Sequence, residues 1–285
     1  MKSFYQSLAV VFLLLVSLAA HADKVPGYYG ADFIQKYEAH SLENDDLRNA
    51  LFQILSSSHI PSDDGVDKIV AHCNAEKGCY AHTALGYDGA RHALFGQIYL
   101  QTTPQGYAVK DVYCQKTYTE AEMGKGSLGP NAIPSADYLN TEHTWPQSRF
   151  TNRFSKDLQK SDLHHLYPTD SKMNSSRSSL HFGDVTSDME KLNCNTGKLG
   201  SDASGEVVFE PPPEQKGHVA RSLLYFAVRY QMKMSNDEFK TAVEWDKQYP
   251  VDAFEASRNE TIFKLQKDRN PFIDMPGLSQ HLQAL

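Results

Sequence analysis

The sequence has no excess of positive charge, no internal repeat, no low-complexity tract and little cysteine. Its 285 residues contain 28 Lys and Arg against 35 Asp and Glu, for a formal net charge of −7. This balance argues against a protein that coats nucleic acid through bulk positive charge, but it leaves room for a local basic cleft. Apolar residues make up 40% and aromatic residues 11%, which excludes a disordered, collagen-like, coiled-coil or mucin-like chain.

A long apolar run occurs once, at the N-terminus. A lysine precedes an apolar stretch over residues 8–20, and Ala20-His21-Ala22 fits the small-x-small pattern of a signal peptidase site. The run is too short to span a bilayer comfortably. We therefore expect residues 1–22 to be a cleaved signal peptide, with an uncleaved anchor as the alternative. No later segment is apolar enough for a membrane, so the sequence predicts an exported soluble protein, secreted or periplasmic.

The four cysteines all follow the predicted signal peptide, and an even number in an oxidising compartment predicts two disulfides. Three pairings are possible and the sequence does not choose between them. Cys73 and Cys79 flank a short polar turn, so a local bridge is sterically easy, and Cys114 with Cys194 would then be the long-range bridge. A structural zinc site is the alternative, although the spacings match no familiar zinc pattern.

Apolar spacing predicts a mainly helical α+β fold with short strands and long loops, forming a single domain over residues 23–285. Three consecutive prolines, residues 211–213, cannot continue a helix or a central strand, so they predict a break in the secondary structure there. A partial alternation predicts a strand over residues 107–114, and a Gly/Pro-rich loop covers residues 124–136. Helices are expected over residues 45–57, 86–100, 218–233, 236–247 and 251–268, the third of them strongly amphipathic.

Two motifs concentrate groups that could handle a phosphodiester. One is Glu142-His143-Thr-Trp-Pro-Gln-Ser, and the other is Asp162-Leu-His-His-Leu-Tyr-Pro-Thr-Asp, followed by Asn174 and Arg177. Residues 142–177 carry six Lys or Arg and four Asp or Glu, a basic island in an acidic chain. Hydrolysis of a phosphodiester requires an activated water, a Lewis acid and a cation for the developing charge. The island offers side chains for each of these tasks.

Oxygen ligands suit Mg²⁺, and Glu142 and Asn174 supply them. The side chains of Glu142 and His143 point to opposite sides of an extended backbone, so one can hold metal while the other faces water. An imidazole with a pKa near ~6.5 can accept that proton near neutral pH. Arg149, Arg153 or Arg177 could clamp the phosphate.

More ordinary interpretations remain open for some of these residues. His164 and His165 could form a zinc pair, although adjacent histidines seldom serve one ion and at least one is expected to be structural. Asp162 and Asp170 could simply cap turns or helices. An isolated Glu-His pair is also common on protein surfaces, so residue types by themselves leave a metal-dependent hydrolase undecided.

The chain resembles the bacterial endonuclease I family, exported sugar-nonspecific nucleases with a ββα-metal, or His-Me finger, core. Both motifs carry the resemblance, and it continues in Glu210-Pro-Pro, Lys216-Gly217, Val219-Ala220-Arg221, Arg258-Asn259, Gln266 and Arg269-Asn-Pro-Phe-Ile-Asp-Met-Pro276. It spans roughly residues 85–276, and residues 23–84 match less well. The ββα core is expected within residues 107–185.

The resemblance implies that His143 is the general base and that Glu142 and Asn174 bind one Mg²⁺, for which Mn²⁺ can substitute. It places His143 and one ligand near a short β-hairpin and the asparagine on the following helix. DNA and RNA are the implied substrates, cut to 5′-phosphate products with little sequence preference by a protein expected to be monomeric. Catalytic arginines are assigned to Arg149, Arg153 and Arg177.

The chain departs from some family members in the second motif. Lys160 replaces a glutamate two residues before Asp162, and His165 replaces an asparagine. The insert that holds the phosphate-binding arginine is short here, so the sequence does not decide between Arg149 and Arg153. Two other functions fit the same residues, a phosphohydrolase of a non-nucleic phosphodiester and a non-catalytic exported nucleic-acid-binding protein.

Overall fold

The computed structural model describes residues 25–75 and 77–285. The predicted signal peptide, residues 1–22, lies outside the described residues. Ten α-helices form in the described part, and four short 3₁₀ segments join them. The α-helices are α1 (Ala31–Glu38), α2 (Asn44–Ser56), α3 (Gly86–Ala93, extended by a π turn over Leu94–Ile98), α4 (Glu120–Met123), α5 (Lys156–Lys160), α6 (Ser171–Arg177), α7 (Pro213–Arg229), α8 (Asn236–Gln248), α9 (Ala253–Gln266) and α10 (Pro271–Asp274).

Eleven short strands in the described residues pair into four small sheets. They are β1 (Ser58–Ile60), β2 (Lys68–Val70), β3 (Leu100–Thr103), β4 (Gly106–Lys110), β5 (Thr117–Thr119), β6 (Leu139–His143), β7 (Leu166–Asp170), β8 (His181–Phe182), β9 (Ser187–Glu190), β10 (Lys198–Ser201) and β11 (Val207–Glu210). β1 pairs with β2, β3-β4-β5 form a meander, β6 pairs with β7, and the fourth sheet has the order β8-β11-β10-β9. The fold is therefore mixed α+β, as the sequence predicts.

Helix α7 is the centre of the core. From Gln215 to Arg229 every residue is buried, and the helix packs against α8, α2 and α10. The prediction of an amphipathic helix here is wrong, because a helix surrounded by other elements has no solvent face. Its predicted start at residue 218 is wrong as well. Pro213 occupies the first turn, where a missing backbone N–H costs nothing and the fixed φ favours the helix.

The other predicted elements are close to those observed. Helices α2, α3 with its π turn, α8 and α9 occupy the predicted segments within a few residues. The strand predicted over residues 107–114 ends earlier, at Lys110. Asp111 explains the difference, because its carboxylate accepts hydrogen bonds from the backbone N–H groups of Tyr113, Cys114 and Lys116 and turns the chain.

Two disulfides are present, Cys73–Cys79 and Cys114–Cys194, and the described residues include no unpaired cysteine. The zinc alternative for the cysteines is therefore wrong. The long-range bridge fastens the loop after β4 to the segment that joins β9 and β10. No helix in the described part of the chain is long and apolar enough to cross a membrane.

The hairpin-like pair β6–β7 carries both sequence motifs. Glu142 lies opposite Tyr167, and His143 lies opposite Leu166, in antiparallel register. Helix α6 follows β7 directly, because the Asp170 carboxylate caps it by accepting from the N–H groups of Lys172 and Met173, 3.0 Å from each. Two strands and a helix thus bring residues from 139 to 177 into one compact unit.

Candidate active site

The β6–β7–α6 unit lines an open cleft of about 440 Å³. His143 of the first motif and Asn174, 31 residues further along the chain, both line it. The cleft is lined by Tyr87, Asn140, Thr141, Glu142, His143, Pro146, Gln147, Ser148, Asn174, Arg177, Ser178 and Ser179. Four of the six residues predicted to act in catalysis or metal binding therefore lie in one place.

His143 is held in a single tautomer. Its Nε2 lies 3.1 Å from the carbonyl oxygen of Lys160. A carbonyl can only accept, so Nε2 carries the proton and Nδ1 keeps a lone pair. Burial lowers the pKa of His143 to about 4, and the charges of Lys160 and Arg177 act in the same direction. The imidazole is therefore neutral at physiological pH and able to accept a proton at Nδ1.

Glu142 is a buried carboxylate whose one ion pair among the described residues is with Arg177. Arg177 Nη1 lies 3.0 Å from Glu142 Oε1, yet this oxygen accepts no well-directed hydrogen bond from any residue the structure describes. Burial raises the pKa of Glu142, while the charge of Arg177 and the hydroxyl of Tyr113 oppose the rise. A buried carboxylate that lines a cleft and has spare lone pairs is a good acceptor for a cation.

Asn174 provides the second hard oxygen. It lies on α6, half-buried in the cleft wall, and no residue in the described chain hydrogen-bonds to its side-chain amide. Described residues include no group of three His, Cys, Asp or Glu that could hold a metal. A carboxylate and an amide nevertheless fit Mg²⁺, which keeps several waters and takes few protein ligands.

The three predicted arginines occupy different surroundings. Arg177 lines the cleft but is buried, and its guanidinium donates to the carbonyls of His143 and Thr144. Arg149 makes a bidentate ion pair with Glu238, with both N···O distances 2.7 Å, and does not line the cleft. Arg153 is exposed beside a separate small cavity. The structure thus brings one of the three to the cleft.

The second motif, residues 162–170, is buried and does not line the cleft. His164 and His165 are fully buried; the first ring contacts Asp268 and the second contacts the carbonyl of Gln159. The two rings serve different partners, which disfavours a shared zinc ion. Asp162 caps the 3₁₀ turn that leads into β7.

Residues that sequence reasoning did not assign also shape the cleft. The Tyr87 ring lies 5.7 Å from the His143 ring, and Gln147 Nε2 is 3.5 Å from His143 Nδ1. Tyr113 approaches Glu142 from the loop after β4. Gln147 stands within the first motif and could have been considered. Nothing in the local sequence distinguishes Tyr87 or Tyr113 from other tyrosines, because folding alone brings them here.

The family model for Endonuclease I matches residues 71–277. Since this match covers well over half of the chain, the protein belongs to the Endonuclease I family and is a nuclease, a hydrolase of phosphodiester bonds. The match begins earlier than the resemblance seen in the motifs, and it includes the Cys73–Cys79 loop. The enzyme class predicted from the sequence is therefore confirmed, and the metal stays a prediction.

Curated relatives are nucleases of two kinds. An extracellular ribonuclease of Bacillus amyloliquefaciens is 32% identical over 213 residues, which is 68% of this chain and 67% of that protein. An extracellular deoxyribonuclease of Aeromonas hydrophila is 31% identical over 158 residues, 54% of this chain and 68% of the relative. A periplasmic deoxyribonuclease of the same species is 27% identical, with coverages of 50% and 61%.

Proposed function

We propose that the protein is an exported, Mg²⁺-dependent, sugar-nonspecific endonuclease that cuts DNA and RNA to 5′-phosphate products. The observation that carries the proposal is a neutral His143 whose ring shares one cleft with Glu142 and Asn174 and whose Nδ1 carries the lone pair. Relatives named both ribonuclease and deoxyribonuclease support a substrate range that includes both polymers. Extracellular and periplasmic relatives, together with two disulfides, indicate export.

Glu142 and Asn174 would hold the metal. Mg²⁺, or Mn²⁺ in its place, would supply Lewis acidity to the phosphate oxygens and to the leaving 3′ oxygen. The fit rests on two hard-oxygen side chains that line one cleft, the carboxylate of Glu142 and the amide of Asn174, which no described residue hydrogen-bonds. Arg177 fixes this carboxylate, because the same guanidinium also donates to the backbone carbonyls of His143 and Thr144, the two residues that follow Glu142.

His143 acts as the general base. Its Nε2–H bond to the Lys160 carbonyl sets the ring orientation, and Nδ1 accepts a proton from the attacking water. Water attack on phosphorus with departure of the 3′ oxygen leaves the phosphate on the 5′ side. The unit β6–β7–α6 corresponds in this proposal to the ββα-metal core. Phosphate contacts by Arg149 and Arg153 remain predictions, as does a monomeric state.

The test uses purified, oxidised protein on supercoiled plasmid and on RNA, with Mg²⁺ and with chelator. We expect Mg²⁺-dependent degradation of both polymers and a loss of about 10²–10⁴-fold in kcat for His143→Ala. Near-normal turnover in that folded variant would refute the role of His143. Cleavage of simple phosphodiesters but not of polymers would favour a non-nucleic substrate, and polymer binding without any turnover would favour a binding protein.

A further inference from the structure

The cleft needs a cation that can reach substrate phosphate. Arg177 is buried and already engaged by two carbonyls and Glu142, and Arg149 is paired with Glu238. A guanidinium saturated by protein acceptors has few N–H groups left for a ligand. The available positive charge beside His143 therefore has to come from other residues.

Positive charge of this kind lies next to the cleft, on α3 and α5. Tyr87 lines the cleft, and the Lys160 ammonium lies 3.9 Å over the centre of its ring. The Arg91 guanidinium lies 5.5 Å from the same ring centre. Both distances are within the range of cation–π attraction, so the ring holds two cations near the rim of the cleft.

These two cations have little competition from protein carboxylates. No Asp or Glu in the described chain forms an ion pair with Lys160. Among the described residues Arg91 forms one ion pair, 3.6 Å from Asp88, whose side chain is 81% exposed and well solvated. Exposed pairs at this separation are weak, and a phosphate can displace them.

We propose that Tyr87, Arg91 and Lys160 form a subsite that binds a backbone phosphate next to the scissile one. The inference rests on the proposed function, since it assumes that a nucleic-acid strand occupies the cleft. Lys160 and Arg91 do not line the cleft itself, so they meet the strand beyond the reacting phosphodiester. Tyr87 connects the two regions, because its ring lies beside His143 and under the Lys160 ammonium.

The first test measures binding of duplex DNA at several salt concentrations in the His143→Ala background, which prevents cleavage. Each backbone contact contributes about 0.9 to the slope of log affinity against log salt. We expect Lys160→Met and Arg91→Met each to weaken binding. Each should also reduce the magnitude of this slope by about 0.9, the contribution of one phosphate contact. In this background the hydrogen bond from the His143 ring to the Lys160 carbonyl is absent from the parent and the variants alike, so a difference in binding reports the changed side chain.

Lys156→Met is the matched control. Lys156 is an exposed lysine on the same short helix, α5, and makes no contact with Tyr87. Its neutralisation changes net charge by the same amount and is expected to leave the slope near that of the parent. Equal effects of Lys156→Met and Lys160→Met would overturn the subsite, since they would reflect general charge.

The role of the Tyr87 ring in holding the Lys160 ammonium can be tested separately. Tyr87→Phe keeps the ring and should keep binding, whereas Tyr87→Leu removes the ring and should reproduce part of the Lys160→Met loss. Lys160→Arg keeps a cation and should restore most of the binding. A Tyr87→Leu variant that binds like the parent, or a failure of Lys160→Arg to rescue, would contradict an anchored cation.

Turnover gives the second test in the His143 parent. On a dinucleotide with one phosphodiester there is no neighbouring phosphate, so Lys160→Met should lose at least several-fold more kcat/KM on polymer than on dinucleotide. Equal losses would assign Lys160 to the reaction centre and refute the subsite. Absence of any cleavage by the parent protein would instead refute the proposed function, so the two failures are distinguishable.

Discussion

Glu142 and Asp268 are both buried carboxylates, but their surroundings are opposite. Asp268 accepts from His82 Nδ1 at 2.7 Å, from the Tyr225 hydroxyl at 2.7 Å and from Gln266 Nε2 at 2.8 Å. Glu142 has an ion pair with Arg177 and an oxygen without a well-directed hydrogen bond from the described residues. One carboxylate is saturated by the protein, and the other is left able to bind something else.

The pKa directions follow from this difference. Burial alone raises the pKa of a carboxyl, and that is the net result for Glu142. At Asp268 the charges of His82 and His164 and their hydrogen bonds outweigh burial and hold the pKa well below its usual range. The comparison separates scaffold from chemistry, because a scaffold satisfies its buried charges whereas a binding site keeps one available.

The largest expected effect is on stability, at Asp268. Asp268→Asn leaves the surrounding histidines and tyrosines without their charged acceptor, and we expect the free energy of unfolding to fall by about 3–5 kcal/mol. Urea unfolding measures it. Asp32→Asn, which removes an exposed partner of Lys36, should change stability by less than about 1 kcal/mol. Similar losses in the two variants would show that the hydrogen bonds and ion pairs of Asp268 stabilise the fold no more than an exposed ion pair does.

The same network predicts how stability depends on pH. The folded pKa of Asp268 is depressed, so its contribution is present above the unfolded pKa of about 3.9 and is lost as pH falls through the folded value. In unfolding curves recorded between pH 6 and about pH 4.5 the parent should keep its stability, whereas Asp268→Asn should lose stability, because without this carboxylate burial lowers the pKa of His82 while the unfolded chain still takes up that proton. Parallel pH dependences would contradict this assignment.

The next effect is on activity, at Glu142. Glu142→Gln keeps the shape of the side chain but removes the charge proposed to hold the metal, and we expect turnover to fall by at least about 10²-fold. Its unfolding free energy should fall less than that of Asp268→Asn, because Arg177 keeps the carbonyls of His143 and Thr144 as acceptors. A variant that unfolds as easily as Asp268→Asn would instead make Glu142 part of the scaffold.

The pH dependence of turnover sharpens the role of His143. The base must be neutral, and its pKa is lowered to about 4, so activity should fall about tenfold per pH unit below pH 4. This places the acid limb well below the value of ~6.5 expected from an unperturbed imidazole. A kcat profile from pH 3.5 to 8 on acid-stable protein measures it at saturating Mg²⁺, which keeps Glu142 ionised despite its raised pKa, and a limb near 6.5 under these conditions would contradict the buried geometry.

The smallest effect is expected at Arg149. Arg149→Lys loses the bidentate pair with Glu238, and we expect the free energy of unfolding to fall by about 1 kcal/mol, with kcat/KM reduced less than in Glu142→Gln. Measurements of kcat/KM and of urea unfolding on the same preparation test both expectations. A large loss of kcat with unchanged stability would support the alternative prediction, in which Arg149 binds the scissile phosphate.

The sequence predicted which residues share a cleft better than it predicted the core. Glu142, His143 and Asn174 lie in short motifs whose chemistry is readable, and the fold does bring them together. Helix α7 shows the limit, because its polar residues suggest a solvent face. Arg221 is nevertheless buried, and its guanidinium pairs with Asp246 at 3.0 Å and with Glu255. Periodicity cannot anticipate buried polar residues whose partners lie dozens of residues away.

By itself the sequence determined the α+β class, two disulfides, the family and the residues of the two motifs. All four properties depend on residue types and on short spacings, which can be read directly from the sequence. The tertiary structure decided which arginine reaches the cleft, which lone pair His143 keeps free and which carboxylate is left unsatisfied. It also placed Tyr87 and Lys160 beside the base. Such properties are contacts between distant segments, and the balance of burial against partners exists only after those segments pack.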